Sequence, residues 1–229
     1  MPAAHAPAAA LSPPRATGII PAMPQTKGRI FLIDGPSGTG KSTLLRKLLD
    51  VPEYNLVYCK RVTTRSPRPD DAGHSDYEFV SQERFSELAA RHELAEYANF
   101  LFGMSYGLPR LPVEEVIESG RNALAITNLG TYEQVKAVWP DSVLILLISP
   151  VEEIEARLRA RGSNTEEQIA ERLDNARRAL LLAPYYDYVL PNRQGKLDRT
   201  VKELGRIIKS NLRTGPDPNL SNPNLSGIR

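Results

Sequence analysis

The chain has 229 residues, of which 41% are hydrophobic and 24% are charged, a balance typical of a globular protein with one substantial core. Its 29 lysines and arginines against 27 aspartates and glutamates leave a net charge of +2, which argues against nucleic acid or a membrane surface as a partner. A single cysteine, Cys59, excludes an internal disulfide and a cysteine-based zinc cluster, and it favours a cytoplasmic protein.

The two ends of the chain differ in composition from the middle. Residues 1–27 are rich in Ala and Pro and lack the basic and apolar segments of a secretory signal, and Met23 offers an alternative start. Residues 212–229 interleave Pro and Asn and carry few apolar side chains. We expect both tails to be disordered and residues 28–211 to form the folded domain.

Five short apolar runs alternate with amphipathic segments of helical period through the middle of the chain. The runs are 29–34, 55–59, 122–127, 143–148 and 187–190. Their continuous hydrophobicity indicates strands that are buried on both faces, as in a parallel sheet with helices on each side. The pattern therefore predicts a doubly wound α/β fold with a five-stranded parallel sheet.

Two helices are predicted near the carboxyl end of this pattern. Thr165 begins a capping box, TEEQ, for a helix that we expect to run to about Leu182, before Pro184. A second helix precedes it, and the sequence RGSN from Arg161 to Asn164 lies between the two. The arrangement predicts a helical hairpin that hinges at Gly162.

A phosphate-binding loop follows the first strand directly. The sequence GPSGTGKS matches G-x-x-x-x-G-K-[ST] and continues into a helix, TLLRKLL. Glycines let successive backbone N–H groups converge on one point, and the helix N-terminus adds partial positive charge there. Lys41 is expected to reach the β- and γ-phosphates of ATP or GTP, and Ser42 to ligate Mg²⁺. The predicted phosphate-binding residues are Gly35, Ser37, Gly38, Thr39, Gly40, Lys41, Ser42 and Thr43.

A second anion site is predicted after the second apolar run. Arg65 and Arg68 lie in the sequence TTRSPRP, at the carboxyl end of the presumed strand, where open α/β sheets bind ligands. The prolines extend the chain locally, so that both guanidinium groups are able to face one tetrahedral oxyanion. Tyr77 and Tyr106 are candidates for additional hydroxyl donors. Two arginines in a solvated basic loop are the alternative interpretation of the same residues.

Taken together, these segments resemble the guanylate kinase family. The family pattern GPSGxGKS, TTRxPRxGExxGxDYxFV, YG, DIDxQG and RLxxRGxxxxxxIxxRLxxA reads here as GPSGTGKS, TTRSPRPDDAGHSDYEFV, MSYG, AITNLG and RLRARGSNTEEQIAERLDNA. The resemblance spans about residues 29–210. It implies a P-loop kinase sheet with an inserted acceptor-binding lobe at about 60–110 and a helical lid at about 157–175.

The resemblance also implies roles for individual residues. Lys41 and Ser42 hold ATP-Mg²⁺, while three lid arginines neutralise the charge of the transferring group, which makes the expected catalytic set Lys41, Arg157, Arg161 and Arg172. A second set is expected to bind the acceptor, by its phosphate or by its base, and comprises Arg65, Arg68, Tyr77, Glu96, Tyr106 and Thr127. Considered without the family, Arg157 and Arg161 are equally consistent with an exposed face of salt bridges.

Four positions depart from the family pattern in the part that reads the base. Ala125 and Thr127 stand where the family has acids, Leu129 replaces its glutamine, and Arg61 replaces a small hydroxyl residue. A carboxylate is the natural acceptor for the N1–H and N2–H of guanine, so its loss changes a discriminating contact.

Three interpretations follow, and the sequence leaves the oligomeric state open. The leading one is ATP-dependent phosphorylation of GMP. The others are a kinase of another phosphorylated acceptor, such as ribose 1,5-bisphosphate, and a non-catalytic module of guanylate kinase type.

Overall fold

The computed structural model describes residues 27–67, 71, 76–99, 103–160, 162 and 164–213, the last without its side chain. The tails that we expect to be disordered lie outside these residues, apart from Lys27, Leu212 and Arg213. The helices are α1 Lys41–Leu49, α2 Gln82–Ala90, α3 Arg110–Glu118, α4 Tyr132–Val138, α5 Val151–Ala160, α6 Glu166–Ala179 and α7 Leu197–Arg213. The strands are β1 Ile30–Asp34, β2 Leu56–Tyr58, β3 Arg61–Thr63, β4 Tyr77–Phe79, β5 Leu94–Asn99, β6 Ser105–Pro109, β7 Asn122–Ile126, β8 Val143–Ile148 and β9 Tyr188–Pro191.

The five predicted strands form one parallel sheet in the order β2-β7-β1-β8-β9. Every residue of β1, β7 and β8 is buried, because helices cover both faces of the sheet. Ile33 faces a core that it shares with α1 and α7, while its neighbour Leu32 faces the opposite core with Val135 and Trp139. The prediction of a doubly wound α/β fold is confirmed.

A second, four-stranded sheet in the order β4-β3-β6-β5 lies between β2 and β7 in the sequence. Its β3 pairs parallel to β4 and antiparallel to β6, and α2 covers it with a small core of Val62, Phe85, Leu88 and Leu94. We expected Arg65 to follow the second apolar run directly. Instead β2 ends at Tyr58 and the three-residue β3 intervenes, so Arg65 follows a strand of the second sheet. A strand this short carries no apolar run, and it is stabilised by pairing with β6, about forty residues later.

A helical hairpin, α5 and α6, packs on its own core of Ile154, Leu158, Ile169, Leu173 and Ala176. Thr165 caps α6 with the expected capping box, and Gly162 between the helices has φ +63°. The α-helix ends at Ala179, three residues before the predicted end, and a 3-10 helix, Leu180–Tyr185, continues it through Pro184. The proline ends the α-helix early because it cannot donate the backbone hydrogen bond and its ring crowds the preceding turn.

Among the residues that the structure describes, no helix is long and apolar enough to cross a membrane. Cys59 is buried, and burial raises the pKa of its thiol to about 11. The thiol is therefore protonated at neutral pH and serves as a packing group.

Candidate active site

The phosphate-binding loop connects β1 to α1 with backbone angles that require glycine. Gly35 has φ +143°, and a Cβ there would lie 2.2 Å from the carbonyl oxygen of Leu147 on β8. Gly40, the N-cap of α1, has φ +92°, and its Cβ would lie 2.7 Å from the side-chain nitrogen of Asn192. The loop therefore lies against the ends of β8 and β9, with the first turn of α1 at its exit.

Hydrogen bonds within and around the loop hold its shape. Lys41 Nζ donates to the carbonyl oxygens of Gly35 and Pro36, the latter at 3.0 Å. Thr39 donates its hydroxyl to Pro36 O at 2.9 Å and accepts at its own carbonyl from Asn192 Nδ2 at 2.7 Å. The ammonium group that we expect to contact ATP thus lies across the loop itself.

The other predicted phosphate-binding residues are distributed around the loop. Ser42 and Thr43 lie in the first turn of α1, where Ser42 is half-buried and Thr43 is exposed. Ser37 and Gly38 are in the middle of the loop, and Gly38 lies beneath Ile154 of α5.

Arg157, one of the three arginines predicted to form a lid, lies against the loop. Its Nη1 donates to Gly38 O at 3.0 Å and to Ser149 Oγ at 3.3 Å, and its Nη2 donates to Glu153 at 2.7 Å. Arg172 is half-buried on α6, which packs against α5. Arg161 lies outside the described residues.

The loop also contacts the residue that precedes β4 of the second sheet. Ser42 donates its hydroxyl to the Asp76 carboxylate at 2.6 Å. The carbonyl of Asp76 accepts from the backbone N–H of Arg61 and from the Tyr58 hydroxyl, both at 3.3 Å. Sequence reasoning did not single out Asp76, although its place at the start of DYEFV, directly before Tyr77, was an available signal.

Arg65 is buried and lies two residues after β3 of the second sheet. Its guanidinium makes two parallel hydrogen bonds to the carboxylate of Asp71, at 2.7 and 2.9 Å. The guanidinium carbon also lies 5.1 Å from the ring centroids of both Tyr77 and Phe79. A carboxylate therefore occupies the fork of Arg65 that we expect to bind a phosphate. Arg68 lies outside the described residues.

Tyr77 and Tyr106 meet edge to face, with their ring centroids 5.7 Å apart. Burial raises the pKa of Tyr77, so its hydroxyl stays protonated and able to donate. The main chain of Tyr106 accepts a hydrogen bond from Asn128 Nδ2 at 3.1 Å. This bond joins the second sheet to the segment that follows β7.

Glu96, the expected base contact, is completely buried and ion-paired. Arg61 Nη2 lies 3.0 Å from its Oε1, while Asn128 Nδ2 and the Thr131 hydroxyl donate to its Oε2 at 2.9 and 2.8 Å. Thr127 is buried beside them at the end of β7. The sequence singled out Arg61 and Glu96 separately, and only the fold shows that they pair.

A further carboxylate, Asp34, lies at the end of β1 immediately before the loop. It accepts hydrogen bonds from the backbone N–H of Gly35 at 2.5 Å and from the hydroxyl of Tyr186. Burial raises its pKa to about 6, against the opposing effects of the Tyr186 hydrogen bond and the charge of Lys41. Sequence reasoning missed this group, although an acid closing an apolar strand was a visible signal.

Comparisons with known proteins agree with this geometry. The guanylate kinase family model matches residues 27–211. The guanylate kinase of Trichodesmium erythraeum is 37% identical over 182 residues, 79% of this chain and 96% of the relative. That of Prochlorococcus marinus is 37% identical over 183 residues, 80% and 97% of the two chains. A crystal structure of guanylate kinase from Anaplasma phagocytophilum superimposes with a TM-score of 0.66 at 26% identity, covering 84% of this chain and 90% of that one. The chain therefore belongs to the guanylate kinase family.

Proposed function

We propose that the protein transfers the γ-phosphoryl group of ATP to GMP, forming GDP and ADP. The observation that carries this proposal is the hydrogen bond between Ser42 and Asp76, because it joins the two halves of the candidate site. Ser42 ends the phosphate-binding loop, and Asp76 precedes Tyr77 in the second sheet. A donor phosphate on the loop and an acceptor phosphate beside Tyr77 and Arg65 are therefore neighbours, as in-line transfer requires.

The residues present fit Mg²⁺ bound together with ATP. The Ser42 hydroxyl and the Asp76 carboxylate supply two hard oxygen ligands, and the described residues contain no group of three or more His, Cys, Asp or Glu that would form a protein-only cage. Mg²⁺ typically takes one or two protein oxygens and completes its shell with phosphates and water. When bound, the ion neutralises phosphate charge; Ser42 and Asp76 would hold it.

Lys41 and Arg157 are the cations proposed to act on the donor. Lys41 Nζ already lies within the loop, where it donates to the carbonyl oxygens of Gly35 and Pro36, and Arg157 is already in contact with the carbonyl of Gly38. Their charges oppose the negative charge that spreads over the transferring group, which is where most of the rate acceleration arises. Arg161 and Arg172 complete the proposed lid, and closure of α5 and α6 would exclude water from the reaction.

Arg65 is proposed to hold the phosphate of the acceptor. Its planar fork matches a tetrahedral oxyanion as well as it matches the Asp71 carboxylate, which stands in for that ligand here. Binding GMP then requires that its phosphate displace Asp71. Tyr77 and Tyr106 lie beside the same fork and supply hydroxyl donors, with Arg68 as a further proposed contact.

The proposal includes a cytoplasmic location, and neither nucleic acid nor a membrane takes part. The reaction needs only the two nucleotides and Mg²⁺.

The test is ADP release in a coupled assay with ATP-Mg²⁺ and a panel of acceptors: GMP, dGMP, AMP, UMP and ribose 1,5-bisphosphate. We expect turnover of GMP, and a fall in kcat of about 100-fold or more for Lys41→Ala. Lys47→Ala is the matched control on the same helix, since Lys47 is exposed and pairs with Asp198. Turnover of another acceptor without GMP would show that the acceptor is misassigned. Binding of ATP and GMP without any turnover would favour a non-catalytic module.

A further inference from the structure

The pair Arg61 and Glu96 is buried where the second sheet meets the end of β7. Arg61 is 2% exposed and Glu96 is 0% exposed, so neither charge reaches solvent. Arg61 lies on β3, the strand that leads to Arg65, and Glu96 lies on β5. The pair thus lies in the sheet that carries the proposed acceptor site.

Glu96 is committed to partners within the protein. Arg61 donates to one of its oxygens, and Asn128 and Thr131 both donate to the other. An ionised carboxylate only accepts hydrogen bonds, and three of its roughly four sites are used here. Glu96 therefore links β3 and β5 to the segment after β7, and most of its capacity to accept hydrogen bonds is used within the protein.

Arg61 retains donor capacity that the protein does not use. Among the residues that the structure describes, its Nε is buried and has no hydrogen-bond partner. The guanidinium carbon lies 5.7 Å from the centroid of the Tyr106 ring, on which a planar cation stacks. A buried donor without a partner is costly, so a ligand atom that accepts from it gains more than the same contact made in water.

The two edges of guanine place opposite demands on these two side chains. The N1–H and N2–H edge donates hydrogen bonds and needs an acceptor. Glu96 is the expected acceptor, but its oxygens already accept hydrogen bonds from within the protein. The O6 and N7 edge accepts, and arginine is the side chain that most often reads it. The unused donor of Arg61 complements the second edge.

We infer that Arg61 determines acceptor specificity by closing off Glu96 and by reading the O6 and N7 edge of a purine, so that the 2-amino group is not read. This inference rests on the proposed function and refines its substrate class to 6-oxopurine nucleoside monophosphates. GMP and inosine monophosphate (IMP) share O6 and N7 and differ only in the 2-amino group. AMP carries an amino group at position 6, which sets a donor against the arginine.

The test compares kcat/KM for GMP, IMP and AMP with ATP-Mg²⁺ held saturating, together with equilibrium binding of GMP and IMP in the absence of ATP. We expect GMP and IMP to agree within about 10-fold and AMP to be at least about 100-fold poorer. A preference of GMP over IMP above about 100-fold would overturn the inference and leave the proposed function standing. Turnover of none of the three overturns both.

Two variants separate reading by Arg61 from a structural role. Arg61→Ser frees Glu96 to accept from the 2-amino group, so the ratio of GMP to IMP, in binding and in kcat/KM, should rise about 10-fold or more. Arg61→Ser with Glu96→Gln removes both charges, avoids a lone buried carboxylate and should leave the ratio low. If Arg61→Ser does not fold, the ratio of GMP to IMP measured for the wild type and for the double variant tests the inference. The assignment is contradicted if the double variant has a higher ratio of GMP to IMP than the wild type. It is also contradicted if the double variant rejects AMP as strongly as the wild type does.

Discussion

Replacing Asp34 with asparagine should make the free energy of unfolding less dependent on pH. In the folded protein burial raises the pKa of Asp34 to about 6 from its ordinary value of 3.8. The folded protein therefore binds the proton of the Asp34 carboxyl group more tightly than the unfolded chain does. The contribution of protonated Asp34 to stability is fully present below about pH 3.8 and is lost as the pH rises towards 6. The difference between the two pKa values corresponds to a contribution of about 3 kcal/mol to the free energy of unfolding at low pH. About half of this contribution is lost between pH 5 and pH 8.

The asparagine side chain in Asp34→Asn would not titrate, and its amide oxygen is able to accept from Gly35 N–H and from the Tyr186 hydroxyl. Any cost of its buried NH₂ group is the same at every pH, so the informative quantity is the change with pH. We expect the free energy of unfolding of Asp34→Asn, measured relative to wild type, to rise by about 1–2 kcal/mol from pH 5 to pH 8.

The assay is urea unfolding of the nucleotide-free protein at several pH values, with Asp198→Asn as the matched control. The side chain of Asp198 is 91% exposed, so its replacement should leave the pH dependence unchanged. Tyr186→Phe should have the opposite effect to Asp34→Asn, because it removes a hydrogen bond that favours the charged carboxylate and moves the loss of stability to higher pH. A difference between Asp34→Asn and wild type that is constant with pH, or that falls as the pH rises, would refute the reasoning.

Two further outcomes are expected. Arg65→Lys keeps the positive charge but loses the planar guanidinium that now makes two hydrogen bonds to Asp71. KM for the acceptor should therefore rise about 10-fold or more, while KM for ATP changes less than about 2-fold. Steady-state kinetics measure both values, and equal increases would show that Arg65 does not bind the acceptor. Gly35→Ala places a Cβ 2.2 Å from Leu147 O at a φ of +143°, so the free energy of unfolding should fall by about 2–4 kcal/mol. Urea unfolding measures this change, and a loss below about 0.5 kcal/mol would contradict the prediction that a side chain at this position is strained.

Local features of the sequence were sufficient for the parts of this protein that depend on neighbouring residues. The phosphate-binding loop is specified by glycines at left-handed angles and by the helix that follows, all within Gly35 to Ser42. Continuous apolar runs determined the five parallel strands, because burial on both faces favours apolar side chains along most of each strand. The capping box at Thr165 likewise needs only a span of four residues.

The second sheet could not be predicted in the same way. Its strands β3 and β4 have three residues each, too few for a periodic pattern, and they are stable because β3 pairs with β6 and the sheet packs on α2. The position of Arg65 depends on that pairing. The family resemblance indicated a lobe in this region, but not which strands compose it.

The polar contacts that shape the candidate site were decided by the tertiary structure alone. Ser42 and Asp76 are 34 residues apart, Arg61 and Glu96 are 35 apart, and Asp34 and Tyr186 are 152 apart. Each pair exists because the fold brings elements that are distant in the sequence into contact, which no local pattern records. Sequence alone thus determined that this chain holds a nucleotide phosphate, whereas the fold decided which charged groups remain available to an acceptor, because burial and pairing are properties of the folded chain.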